Sequence, residues 1–225
     1  MRRLLISLCV VSSALLAGGD AESAAPARVG YAWPLPTCVA CAGPLGTTPI
    51  VRVLVDAKDP SIQGREVRFC QESCIATFDA NRPKYLKAAD ATIEVQEMPS
   101  YPRIHCIVMP DEALPDPNSP DADEAKTVVV GNQLVRVCCA QCVRKVKRNP
   151  TLHLAALQNA FSISQPRTDA TQRCPTCGKD LPTTPVETLI AGRLVRVCCD
   201  GCKASAEKSP AATLAKMDQA TKNPK

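Results

Sequence analysis

The chain has 225 residues, only 3% aromatics, 20 prolines and 14 cysteines, and a formal net charge of +5. Two of those positive charges sit at the extreme N-terminus, so what remains is too mild for a nucleic-acid-binding surface. Length alone allows one ordinary domain, but the poverty of aromatics leaves little for a conventional core, and the cysteines are the candidate staple.

Residues 1–25 read as a secretory signal peptide. Arg2 and Arg3 form a charged end, and an apolar run from Leu4 to Ala17 follows, too short for a comfortable transmembrane helix. Small residues then offer cleavage after Gly19, Ala21 or Ala25. An exported protein in the periplasm or outside the cell is expected, with membrane attachment only if the signal stays uncleaved. Export also places the cysteines in an oxidising compartment, where they can pair as disulfides.

A proline-containing lead-in reaches Cys38-Val39-Ala40-Cys41. The β-rich run Ile50 to Val55 is predicted to pair with Glu66 to Cys70 across a polar connection, Asp56 to Gly64. A helix is predicted from near Glu72, carrying Cys74, Ile75 and Phe78, with Pro83 breaking it before a short turn that holds Tyr85 and Leu86. This is unit one, residues 38–87, and residues 88–100 read as a connector.

Unit two, residues 101–161, brings Cys106 and Met109, then Cys138 and Cys142. Its stretch 110–126 holds four prolines and six acidic residues and is predicted to be a flexible acidic loop. A second helix, Leu152 to Phe161, follows Pro150. Arg144, Lys145, Lys147 and Arg148 read as a solvated helical face. After a polar linker at 162–173, unit three, residues 174–217, opens on Cys174-Pro175-Thr176-Cys177. Val186–Ile190 and Leu194–Val197 form a predicted hairpin with Ala191-Gly192 at the turn. Asp200 is expected to cap a helix that begins with Cys202 in its first turn. The tail, 218–225, is expected to be disordered.

The three units are copies of one another. Cys38, Cys106 and Cys174 are spaced by 68, as are Cys70 and Cys138, and Cys74 and Cys142; Cys198 and Cys202 follow Cys138 and Cys142 by 60. Val67-Arg68-Phe69-Cys70 matches Val135-Arg136-Val137-Cys138 and Val195-Arg196-Val197-Cys198. The fold expected from this triplication is α+β: three tandem small ββα metal-binding modules joined by flexible linkers.

Units one and three each set a C-x2-C pair against a C-x3-C pair. Two thiols from a local turn and two from a helix start, joined by a hairpin, are what a tetrahedral ion needs. The candidate ligands are Cys38, Cys41, Cys70 and Cys74 in unit one, and Cys174, Cys177, Cys198 and Cys202 in unit three. In unit two they are Cys106, Cys138 and Cys142, with Met109 standing where the second cysteine belongs. Zn²⁺ suits a closed four-thiolate site, and Cu⁺ is the alternative, since a thioether is a good Cu⁺ ligand and a poor zinc one. A pair of disulfides per unit competes with metal, and unit two competes with a decayed copy that binds nothing. His105 is a lesser substitute for Met109, and His153 belongs to a helix face. Cys139 and Cys199, each directly after a candidate ligand, read as small apolar fillers rather than alternative ligands.

Units one and three resemble the TRASH/YHS group of heavy-metal-associated modules, related to the zinc-binding treble clef. The residues that carry this are Cys38-Val39-Ala40-Cys41 with Phe69-Cys70-Gln71-Glu72-Ser73-Cys74-Ile75-Ala76-Thr77-Phe78 and Pro83-Lys84-Tyr85-Leu86, and the four cysteines of unit three. The resemblance implies treble-clef-like modules that bind metal in trafficking, resistance or sensing, with no catalysis of their own. Unit two departs from the pattern at Met109. No Ser/His/acid set, phosphate loop or carboxylate pair stands out, and two histidines argue against a His-ligated catalytic zinc, so no enzyme is expected. The competing reading is a zinc- or disulfide-stapled scaffold for a protein partner in the cell envelope.

Overall fold

Three hairpins carry the architecture, and the turns of the second and third pass through positive φ. Gly131 and Asn132 adopt φ 54° and 59°, Ala191 and Gly192 47° and 71°, as a two-residue hairpin turn requires. A computed structural model describes residues 26–101, 105–165 and 172–222. The predicted signal peptide, Pro102, residues 166–171 of the predicted linker and the last three residues of the tail lie outside them.

In unit one, β1 (Ile50–Val53) pairs antiparallel with β2 (Glu66–Phe69), and two helices follow, α1 (Ser73–Ala80) and α2 (Arg82–Glu97). Unit two repeats this as β3 (Lys126–Val130), β4 (Gln133–Val137), α3 (Ala140–Arg148) and α4 (Pro150–Ser164). Unit three gives β5 (Val186–Ile190), β6 (Arg193–Val197), α5 (Asp200–Lys208) and α6 (Pro210–Lys222). The molecule is therefore α+β, with three two-stranded sheets and two helices after each. No helix among the described residues is long and apolar enough to cross a membrane.

The paired helices share one device. Asn81, Asn149 and Ser209 break the helical path with ψ near 63° (62°, 65° and 63°). A proline then sits at or next to the start of the second helix, at Pro83, Pro150 and Pro210, where its missing N–H is not needed. Pro83 thus starts a sixteen-residue helix rather than leaving the predicted short turn, and residues 88–97 are helix rather than connector. Leu86, Ala89 and Ile93 supply the reason, because their helical spacing buries one face. The tail is corrected in the same way: residues 218–222 are the last turns of α6.

The acidic stretch 110–126 is more ordered than its composition suggests. Lys126 already belongs to β3, a short 3₁₀ turn spans Ala122–Glu124, and Leu114 and Ala125 are buried. Asp116 closes a local turn by accepting from the backbone N–H of Asn118 at 2.7 Å. Asp200 is also corrected: it is the first residue of α5, and Cys199 holds the capping position.

The units are not isolated beads. One buried apolar cluster runs through units one and two, from Trp33 and Phe69 to Val135 and Phe161, while unit three keeps a smaller one around Val195 and Leu214. The lead-in stitches the first two units together. The Val29 N–H donates to Gly64 O, the Tyr31 N–H to Gly131 O, and the Trp33 N–H to Glu66. Gly30 and Gly131 lie so close that a Cβ on Gly30 would stand 2.1 Å from Gly131 O. Asn132, fully buried, donates to Tyr31 O and Glu66 O and accepts from Arg65 Nε. Unit three docks on this body through Arg68, whose guanidinium donates to Lys208 O and Glu207 O at the end of α5, where cations suit the exposed helix carbonyls. Phe161 covers Gly192 from the other side.

Candidate metal centres

Each cluster is assembled by the same local physics. In unit one the chain folds back so that the Cys38 N–H bonds Gly43 O and the Ala42 N–H bonds Cys38 O, with Ala42 at φ 57°. This knuckle presents Cys38 and Cys41 together. Cys70 leaves the end of β2 and Cys74 lies in the first turn of α1. The knuckle of unit three uses Gly178 at φ 77° in the same place, with the Cys174 N–H on Lys179 O and the Gly178 N–H on Cys174 O.

The four sulfurs of Cys38, Cys41, Cys70 and Cys74 all lie within 4.8 Å of one another, as do those of Cys174, Cys177, Cys198 and Cys202. Cys41 and Cys70 are 3.5 Å apart, Cys70 and Cys74 3.7 Å, Cys177 and Cys198 3.5 Å, and Cys198 and Cys202 3.5 Å. A tetrahedral ion with metal–sulfur bonds of about 2.3 Å sets its ligands about 3.8 Å apart, whereas a disulfide closes to about 2.05 Å. Every described cysteine is a free thiol.

In unit two Cys106, Cys138 and Cys142 form the same convergence with three members. Met109 Sδ lies 3.9 Å from Cys138 Sγ, the place that Cys41 takes relative to Cys70. It is 40% exposed, so the fourth corner opens to solvent. His105 is exposed and does not join the cluster; His153 lies half-buried on α4, as expected of a helix-face residue. The four basic residues of α3 are all exposed.

Electrostatics divide the thiols within each cluster. Burial pushes Cys38 up, but the backbone N–H groups of Cys41, Cys70 and Ala40 outweigh it and bring the thiol down to about 7. Cys174 falls to about 6 for the same reason, against burial, through the N–H groups of Cys177, Cys198 and Thr176. Cys106 is lowered likewise by Cys138, Val108 and Met109. The helix cysteines move the other way: burial first, then the neighbouring thiols, raise Cys74 to about 12 and raise Cys142. Cys202 is raised chiefly by Cys198. Each cluster thus pairs a knuckle thiol that is lowered with a helix thiol that is raised, and a bound cation would stabilise the thiolates together.

Sequence reasoning misplaced Cys199 and missed the sulfur contacts of both Cys139 and Cys199. Cys199 is exposed rather than a buried filler, while Cys139 is half-buried and packs against the core as a filler would; both hold the capping positions, of α5 and α3. Their sulfurs stand 3.9 Å from Cys198 and 3.7 Å from Cys142. The signal that could have found them is their place one residue before the helix start, where a side chain faces the first turn.

The fold and its sites define a cysteine-rich α+β protein with three cysteine clusters able to hold metal ions. Comparison with protein-family models, with curated proteins and with solved structures returned no match.

Proposed function

We propose that this chain is an exported heavy-metal-binding protein built from three tandem treble-clef-like modules of the TRASH/YHS type. Sites one and three hold Zn²⁺ in four-thiolate cages, and site two, with three thiolates and the Met109 thioether, accepts Cu⁺ or an exchangeable Zn²⁺. The observation that carries this is the convergence of four sulfurs from a knuckle and a helix start, twice over, with neighbouring sulfurs 3.5–3.7 Å apart. Two disulfides would need only two close pairs, not a four-way meeting. A bound cation supplies the positive charge that keeps all four sulfurs ionised. The chain's own share is to present the knuckle N–H groups, which lower Cys38 and Cys174 and so favour capture of the ion.

The test is metal content by mass spectrometry, with free-thiol titration, on protein isolated from cells. Two or three equivalents of zinc or copper, with thiols reactive only after chelation, support the proposal. Absent metal and absent free thiols would replace it with a disulfide-stapled scaffold.

A further inference from the structure

Units two and three carry one thiol more than their clusters require. Cys139 and Cys199 occupy the same repeat position, 60 residues apart, and each touches a cluster sulfur, at 3.7 and 3.9 Å. Unit one has Gln71 there, exposed and without sulfur. Cys199 is exposed and Cys139 half-buried, so solvent reaches both extra thiols. A sulfur in contact with a ligand sulfur and open to solvent can bind an ion before an inner ligand lets go. An ion in unit one has no such extra sulfur, Gln71 standing in its place, so it must lose a ligand first.

We propose that Cys199 and Cys139 are transfer thiols: they take over the ion from an inner cysteine of sites three and two and hand it to an external thiol or chelating acceptor, whereas site one retains its ion. This rests on the metal-binding reading above. The step is a ligand exchange without redox change. A sulfur–metal bond forms at Cys199 as the Cys198–metal bond breaks, and the proton leaving the Cys199 thiol ends on the freed Cys198 sulfur. Charge and oxidation state are the same before and after, so no further reactant is needed.

The full chain, loaded with zinc alone, is mixed with an excess of a chromogenic zinc chelator, and release is followed by stopped flow. The expected result is that zinc from sites two and three leaves in a fast phase and zinc from site one in a slow one. Cys199→Ser moves one equivalent from the fast to the slow phase with the zinc stoichiometry unchanged, and Cys139→Ser does the same for site two. Gln71→Cys moves site one into the fast phase, a gain that misfolding would not produce. Unchanged fast phases in both serine variants overturn the proposal. A lower zinc stoichiometry in either also overturns it, because the residue would then be a resident ligand. A chain that takes up no zinc at all fails before any rate is measured, and the metal reading falls with it.

Discussion

Glu97 and Gln165 receive the same bond in successive units: the Leu134 N–H donates to Glu97 Oε2 at 2.8 Å, and the Leu194 N–H donates to Gln165 Oε1 at 2.6 Å. The two side chains are 68 residues apart, one repeat. Gln165 uses its amide to donate to Gly192 O in the turn, while the matching atom Glu97 Oε1 has no hydrogen-bond partner among the described residues. Glu97 is fully buried, close enough to Tyr31 of the lead-in for its charge to raise that hydroxyl. Burial lifts its carboxyl from 4.5 to about 8, against a smaller opposite pull from the Leu134 N–H. A protonated, neutral Glu97 matches Gln165 in charge and in accepting the strand N–H, though not in the amide bond to the turn.

The pH dependence follows from that. The folded pKa lies above the unfolded one, so the stability from protonated Glu97 is complete below about pH 4.5 and declines until about pH 8. Glu97→Gln should be more stable than the parent at pH 8.5, by at most about 5 kcal/mol, with the advantage shrinking as pH falls. Urea unfolding of both proteins at pH 5.5 and 8.5, at equal zinc, measures it. A difference that stays constant with pH would show that Glu97 is not protonated in the fold.

Cys202→Ser should remove one equivalent of metal and loosen unit three before the rest. The apolar cluster of that unit is the smaller of the two, so it leans hardest on its ion. The loss should be several kcal/mol of the roughly 10–16 kcal/mol that structural zinc supplies in small modules. Metal content and hydrogen exchange across β5 and β6 report it. An unchanged metal count rules out the proposed ligand set.

Met109→Cys should raise zinc occupancy of site two, since it puts a thiolate where a thioether now sits 3.9 Å from Cys138. Competition with a chelator of known affinity gives the change. No gain would mark unit two as a copy kept for packing.

Asn132→Ala should cost about 2–4 kcal/mol, because it strands Arg65 Nε and two buried carbonyls. It also forces alanine to φ 59°. Asn132→Gly relieves the backbone and should recover about 1 kcal/mol of that loss. Denaturation midpoints of the two variants separate the contributions.

Much of this was legible in the residues. The repeat spacing located every hairpin, because turn residues and β-branched runs recur at fixed offsets, and Cys-x2-Cys with Cys-x3-Cys named the atoms that meet. What sequence missed depended on partners far along the chain. The α2 helix past Lys87 looks polar, and only its burial of Leu86, Ala89 and Ile93 against both units makes it helix. Trp33 read as part of a lead-in, yet it is 1% exposed in the shared core. Cys199 looked like a filler because periodicity cannot tell a capping residue from the first buried turn.

The lead-in has a consequence for how the protein is made. Residues 29–33 leave the ribosome long before unit two, yet Tyr31 bonds a turn residue 101 positions later. Unit one therefore cannot complete its packing until unit two has been synthesised, and the pair should fold in one late, cooperative step rather than module by module. For the same reason, neither unit can be cut out as a free-standing part, although the sequence repeats as if each could be.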